Sequence, residues 1–391
     1  MKSFLKLSLY VGIFLYASIG FAKESTVIVI SMDGIRHDLW KNHQVDSFEY
    51  IEQQGLRADH LIPVYQSTTY PGHVSLATGV HPDKHGILHN SFYDREDGHF
   101  TYPDQGDLID VKPIWVLAEE AGIPAAVFFW VGSETDWNNI GATYRKAPFD
   151  ESISEEIKIK QIAEWLDIEG EDRPRLIMSY WDGTDTIAHQ DGPSGPSIDL
   201  QIQRQNKLLG SLLNEIDKRD GWEYITLFVV SDHGMTEVSN YIQLREVVEE
   251  SKIKMTVSSG PAIAHIFLDK NDKQRAKEIF AQQEGITVFD RNDLPVSYHL
   301  SHPTRTGDLV LITEAPNMFS NSGNGGPKGM HGYSPDMPDM WGIFYAMGAA
   351  IKQQDIGPVH QVDLAPTIAK ILSLQEVGHM EGESIPLRGD D

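Results

Sequence analysis

Three apolar runs in this sequence stop on acidic residues. Val27-Ile-Val-Ile-Ser-Met32 leads into Asp33-Gly34, Ile177-Met-Ser-Tyr-Trp181 into Asp182 and Asp185, and Leu227-Phe-Val-Val-Ser231 into Asp232-His233-Gly234. One Asp at such a place is as readily a turn or helix-capping residue. Three of them, with His189 and His233 close by, point instead to divalent cations held by oxygen and nitrogen donors. Asp185 and His189 are four apart, which on a helix puts both side chains on one face, within reach of one ion. As a bare pair they equally suit a surface contact. Adjacent Asp232 and His233 converge only if the backbone turns at the strand exit. His331, between Gly-Met and Gly-Tyr, by itself reads as a turn histidine.

A hydroxyl beside such an ion becomes a nucleophile, because the dication stabilises the alkoxide. The candidate is Thr69, in Ser67-Thr-Thr-Tyr-Pro-Gly-His73, although Ser/Thr-rich stretches before Pro are also common turns. No Gly-x-Ser-x-Gly elbow and no Walker loop occurs, so serine-hydrolase and P-loop readings lack their signatures. The chain has no cysteine, which excludes disulfides, thiolate catalysis and Cys-based zinc sites together. A metal here must be held by His and carboxylates.

These residues need elements that carry them to one place. Residues 27–32, 125–130, 176–180 and 225–231 read as buried parallel strands, being β-branched or aromatic and apolar on both faces. Helical patterns at 113–120, 154–166, 198–218 and 244–250 lie between or beyond them. Such alternation predicts an α/β fold with a mostly parallel central sheet flanked by helices. In such a sheet ligands gather beyond the carboxyl ends of the strands, where the three acids stand. Residues 363–374 read as a closing helix with Asp363 placed to cap it. Strand-like runs at 262–268 and 308–313 around a charged helix, 272–282, suggest a small α/β lobe at 254–319. It would be inserted into a catalytic domain of residues 23–253 and 320–391, with 321–329 as the return loop.

The 391 residues carry 32 Lys+Arg and 57 Asp+Glu, a formal charge of −25. Such a surface opposes nucleic-acid polymers and anionic membranes, and repels phosphate-bearing small molecules unless cations sit in the site. Residues 1–22 combine Lys2 and Lys6, an apolar middle and an Ile-Gly-Phe-Ala end, the parts of a secretory signal peptide. An exported periplasmic or secreted protein with no stable membrane anchor after cleavage is the expectation.

Taken in order, the motifs resemble a known family. They are Asp33-Gly34-Ile35-Arg36, Thr69-Tyr70-Pro71-Gly72-His73, His81-Pro82-x-x-His85-Gly86-Ile87, Asn90, Asp185-x-x-x-His189-x-x-Gly192-Pro193, Ser231-Asp232-His233-Gly234-Met235 and His331-Gly332-Tyr333. The chain resembles the nucleotide pyrophosphatase/phosphodiesterase family of the alkaline phosphatase superfamily over residues 26–374. The resemblance implies an alkaline-phosphatase-like fold and two zinc ions per chain. One zinc would be held by Asp33, Asp232 and His233, the other by Asp185, His189 and His331. It makes Thr69 the nucleophile and Asn90 a donor to a nonbridging phosphoryl oxygen, helped by the Tyr70 backbone N–H. Three ligands per ion leave each with an open position, the pattern of catalytic rather than structural zinc. The activity implied is hydrolysis of phosphodiester or pyrophosphate bonds of a small-molecule substrate, nucleotides first, through a phosphothreonine intermediate. Departures such as Gly72 where relatives often have Asn, and Ala188 before His189, touch no ligand and bear on substrate fit.

Other residues admit two readings. His81, His85 and His89 recur at spacing four, but Pro82 and Gly86 break the helix a metal site would need, which favours a structural turn. His73 is placed to orient the nucleophile loop, and Asp182 competes with Asp185 as ligand. Tyr70 and Phe149 are candidate walls for a nucleobase, through stacking; Phe149 equally suits core packing, and the same slot suits a choline headgroup. A choline-headgroup phosphodiesterase, a phosphomonoesterase and an inactive secreted binding protein on a hydrolase scaffold are the alternatives.

Overall fold

The computed structural model describes residues 23–39, 45–320 and 326–390; residues 1–22, read above as a signal peptide, and part of the segment 321–329, read as a return loop, lie outside them. An eight-stranded mixed sheet runs in the order Gln354–Ile356, Leu56–Ala58, Phe344–Gly348, Ile225–Val230, Thr26–Met32, Leu176–Trp181, Ala125–Phe128 and Tyr144–Lys146. All neighbours are parallel except Phe344–Gly348, which runs antiparallel to both of its own. The four anticipated strands form its centre, which is the α/β architecture expected.

The two faces are sealed separately. Ile28, Ile30 and Met32 look toward the helices Asp46–Gln54, Glu155–Leu166 and Pro196–Asp217. Val27 and Val29 look toward Ile114–Glu120 and Leu364–Leu372. Each such side chain taken wholly out of water contributes about 1.5–3 kcal/mol before entropy is charged against it. Burial on both faces is why these strands read as continuous apolar runs rather than alternating ones.

Register then fixes the site. Met32 pairs with Trp181 and Ser31 with Val230. Asp33 and Asp232 therefore leave the sheet two residues beyond one pair, at the same edge. The closing helix begins at Leu364, but Asp363 does not cap it with its side chain. Its carboxylate instead accepts from the N–H groups of His360 and Glu383, each at 2.9 Å, tying the tail to the helix start.

Residues 255–312 build a separate four-stranded antiparallel sheet backed by the helix Lys273–Ala281. Its core also takes in Leu244, Val247 and Val248, upstream of position 254. Among the described residues no helix is long and apolar enough to cross a membrane.

Candidate active site

Asp33 and Asp232 are buried, one at each strand exit, and His233 is buried beside them. His233 Nε2 stands 3.3 Å from Asp33 Oδ1 and 3.3 Å from Asp232 Oδ2. Asp185 opens the helix Asp185–Asp191, so His189 returns one turn later, with Nε2 3.2 Å from Asp185 Oδ1. His331 Nε2 approaches the same oxygen at 3.6 Å, and its ring stacks on His233 at 3.7 Å. All six anticipated ligands thus meet in one place. Asp185 also lies within ligand reach of Asp33 and His233, so it faces both groups rather than one.

Close backbone approach makes this possible. Gly34 has φ +68°, and a Cβ there would stand 3.0 Å from Cα and Cβ of Asp185. Gly183 has φ +56°, and a Cβ there would strike the Asp33 carbonyl oxygen at 2.0 Å. With glycine at both places, the N–H groups of Thr184 and Asp185 donate to the Asp33 carbonyl at 2.8 and 3.2 Å. The second ligand group is hung directly on the first.

Each imidazole of the cluster is oriented the same way. Nδ1–H of His189 donates to the Gly329 carbonyl, that of His233 to Gly234 and that of His331 to Ser67, at 2.9, 2.9 and 3.0 Å. Committing Nδ1 as donor leaves Nε2 a lone pair aimed at the carboxylates, the tautomer a metal ligand needs. Burial and the neighbouring His233 hold the His331 ring well below the usual imidazole pKa, so it stays neutral. Burial, then Asp232 and Asp185, pushes the Asp33 carboxyl well above the carboxylate range. Burial also opposes ionisation of Asp185, but the neighbouring His189, then His331 and His233, hold its pKa low.

The donor set fits divalent cations. Asp33 Oδ1, Asp185 Oδ1 and Asp232 Oδ2 are buried without a hydrogen-bond donor. Among the described residues no lysine or arginine forms an ion pair with any of the three. Converging carboxylates left so would each cost several kcal/mol, which ions between them offset.

Thr69 is the first residue of the buried helix Thr69–Thr78, and its Oγ1 lies 3.4 Å from His233 Nε2. Asn90 Oδ1 accepts from the Tyr70 N–H at 2.9 Å. That N–H, assigned above to a phosphoryl oxygen, is already engaged, which leaves the Asn90 amide N–H groups as the donors aimed at the site. His73 Nδ1 donates to the Thr69 carbonyl at 2.8 Å and so braces the helix start.

Several features carry no sequence signal. The Tyr180 hydroxyl donates to Asp33 Oδ2 at 2.7 Å. Gln361 bonds the Val64 N–H and the Asp232 carbonyl, fixing the approach to Thr69 and the Asp232 backbone together. Asp182 stays half-exposed outside the cluster, 4.0 Å from Lys158. The three spaced histidines do not converge: His81 pairs with Glu381, His85 with Ser75 Oγ, and His89 accepts from the Asn90 N–H.

A cavity of about 820 Å³ opens from this cluster, and Tyr70 and Phe149 both line it. Phe149 is 48% exposed and meets Phe129 and Tyr180 edge-on at 5.3 and 5.7 Å, so it is wall rather than core.

Residues 27–334 match the family described as type I phosphodiesterase / nucleotide pyrophosphatase. An uncharacterised pyrophosphatase/phosphodiesterase of Schizosaccharomyces pombe is 28% identical, over 93% of this chain and 81% of its own. Human bis(5'-adenosyl)-triphosphatase is 24% identical over 91% and 81%. Among solved structures, an inactive threonine-to-alanine variant of murine ectonucleotide pyrophosphatase/phosphodiesterase 5 in complex with AMP superposes with a TM-score of 0.84. It is 25% identical, covering 90% of this chain and 96% of that one.

Proposed function

Because the chain belongs to the type I phosphodiesterase / nucleotide pyrophosphatase family, we propose that it is a two-zinc hydrolase of phosphodiester and pyrophosphate bonds in nucleotides. The observation that carries this reading is Thr69 Oγ1 beside six convergent Asp and His donors, at the mouth of an aromatic-walled cavity. Asp33, Asp232 and His233 would hold one ion and Asp185, His189 and His331 the other, with Asp185 close enough to face both. When bound, the ions supply the positive charge that favours the Thr69 alkoxide and draws a phosphodiester into an acidic protein.

The chain's own residues do the rest. Helix packing and the His73 bond to its carbonyl hold Thr69 in place for attack on phosphorus. A Thr69 O–P bond forms as the bond to the departing alcohol or phosphate breaks. Asn90 donates to a nonbridging oxygen as charge gathers there. Water then cleaves the phosphothreonine and restores the hydroxyl; two inversions give overall retention at phosphorus. Tyr70 and Phe149 flank the retained organic group. Residues 254–319 act as an inserted lobe on the catalytic domain, and residues 1–22 direct export to the periplasm or exterior.

Thr69→Ala should lower turnover at least about a thousandfold while both metals stay bound. Metal analysis and the thymidine 5′-p-nitrophenyl phosphate assay check this, and unchanged turnover overturns the nucleophile assignment. In wild type that ester should be cleaved faster than p-nitrophenyl phosphate or p-nitrophenyl phosphorylcholine. The reverse order points to a monoesterase or a choline-headgroup diesterase. No turnover with full metal points to an inactive binding protein.

A further inference from the structure

Besides the six convergent Asp and His residues, the cavity has a second charged patch. Asp104 and Glu134 line it beside Tyr70 and Tyr102, and among the described residues no lysine or arginine lines the cavity. Tyr70 and Tyr102 meet edge-on at 5.6 Å and line the same cavity as the two acids. Both lie close enough to the Tyr70 hydroxyl to raise its pKa, together with burial. Glu134 is not a loose surface acid: its Oε2 accepts from the Gly132 N–H at 3.0 Å. Burial pushes its carboxyl up to about 7, against the N–H groups of Gly132, Ser133 and Glu134 itself, which favour the ionised form. Asp104 is exposed at the rim. A held carboxyl that ionises near neutrality, a second acid and electron-rich ring faces attract a cation, whose charge favours the ionised form, or N–H donors. They repel a group that brings a further negative charge.

We infer that Glu134 and Asp104 select phosphodiesters whose retained organic group is cationic or rich in N–H donors, and reject those carrying additional anionic charge. The inference rests on the hydrolase reading above and names the substrate class for that site. It gives the chain a division of labour: the ligand cluster neutralises one phosphodiester charge, and the second patch selects against any other. A nucleotide with an amine-bearing base and no extra phosphate on its retained half satisfies both.

The test uses the metal-replete enzyme and three p-nitrophenyl phosphodiesters. Their second alcohols are choline, its uncharged isostere 3,3-dimethylbutanol, and 3-hydroxypropionate. In wild type, kcat/KM should fall at least about tenfold from the choline to the isosteric ester, and again to the carboxylate ester. Glu134→Gln should compress the choline-to-isostere ratio toward one, mainly through KM. Asp104→Asn, at an exposed position that puts folding at little risk, should compress it by about threefold. A flat wild-type series, or a ratio unmoved by both variants, overturns the inference while leaving the hydrolase reading intact. Failure to cleave these esters and the thymidine ester alike overturns the hydrolase reading and this inference with it.

Discussion

Two parts of the one cavity are built on opposite principles. At the ligand cluster, Asp33 and Asp232 leave adjacent strands in a register set by the whole sheet. There, three imidazoles are each pinned through Nδ1 to a backbone carbonyl. Gly34 and Gly183 bring the backbones together where a side chain would keep them apart. Elsewhere on the cavity wall, Tyr102, Asp104, Glu134 and Phe149 all lie outside helices and strands, and Phe149 and Asp104 are exposed. Strand ends and close backbone approach hold the first group of residues, and loops hold the second. Substitution in the first should therefore abolish reaction, and in the second it should redirect it.

The largest break is expected from the buried ligands. Asp232→Asn should lower kcat/KM at least about a thousandfold and reduce bound metal from two ions to one per chain. Full activity at half the metal would show that Asp185, facing both groups, serves where Asp232 was assigned. A smaller effect should come from Tyr180→Phe, which removes only the 2.7 Å donor to Asp33 Oδ2. Affinity for one of the two ions should weaken about 10–100-fold, read by competition with a chelator, and activity should return when metal is added in excess. A loss that excess metal does not rescue would assign Tyr180 a part in substrate contact instead. The mildest change belongs to the loop-built wall: Phe149→Ala should raise KM for the thymidine ester about fivefold and leave kcat unchanged, as loss of one partly exposed stacking face predicts. A fall in kcat as large as the rise in KM would mean that Phe149 also supports Tyr180, its neighbour at 5.7 Å.

The same contrast separates what was legible in the residues from what was not. Strands buried on both faces announce themselves as apolar runs, and the acids that end them stand out against that background. The Asp185 and His189 pair follows from helix geometry alone. The helix Thr69–Thr78 is different: from Pro71 to Thr78 every residue is buried, so it has no polar face to betray a period, and its sequence reads as a turn. Asp363 has the right type and place for a cap, yet two backbone N–H groups from either side of the helix claim its carboxylate. His331 is a turn histidine by local sequence; the Ser67 carbonyl, 264 residues away, makes it a ligand candidate. Tyr180 and Gln361 belong to no motif because their partners lie on other strands and loops.

Sequence alone determined the sheet's central strands, the acids at their exits, the four-residue Asp–His spacing and the absence of thiol chemistry. These depend on neighbours in the chain, where periodicity and residue type suffice. Tertiary structure decided that the three acids meet, how each imidazole is turned, and which loop residues share the cavity with them. Those follow from contacts between segments far apart in the chain, set by register and backbone approach, and no local pattern encodes a distance between such segments.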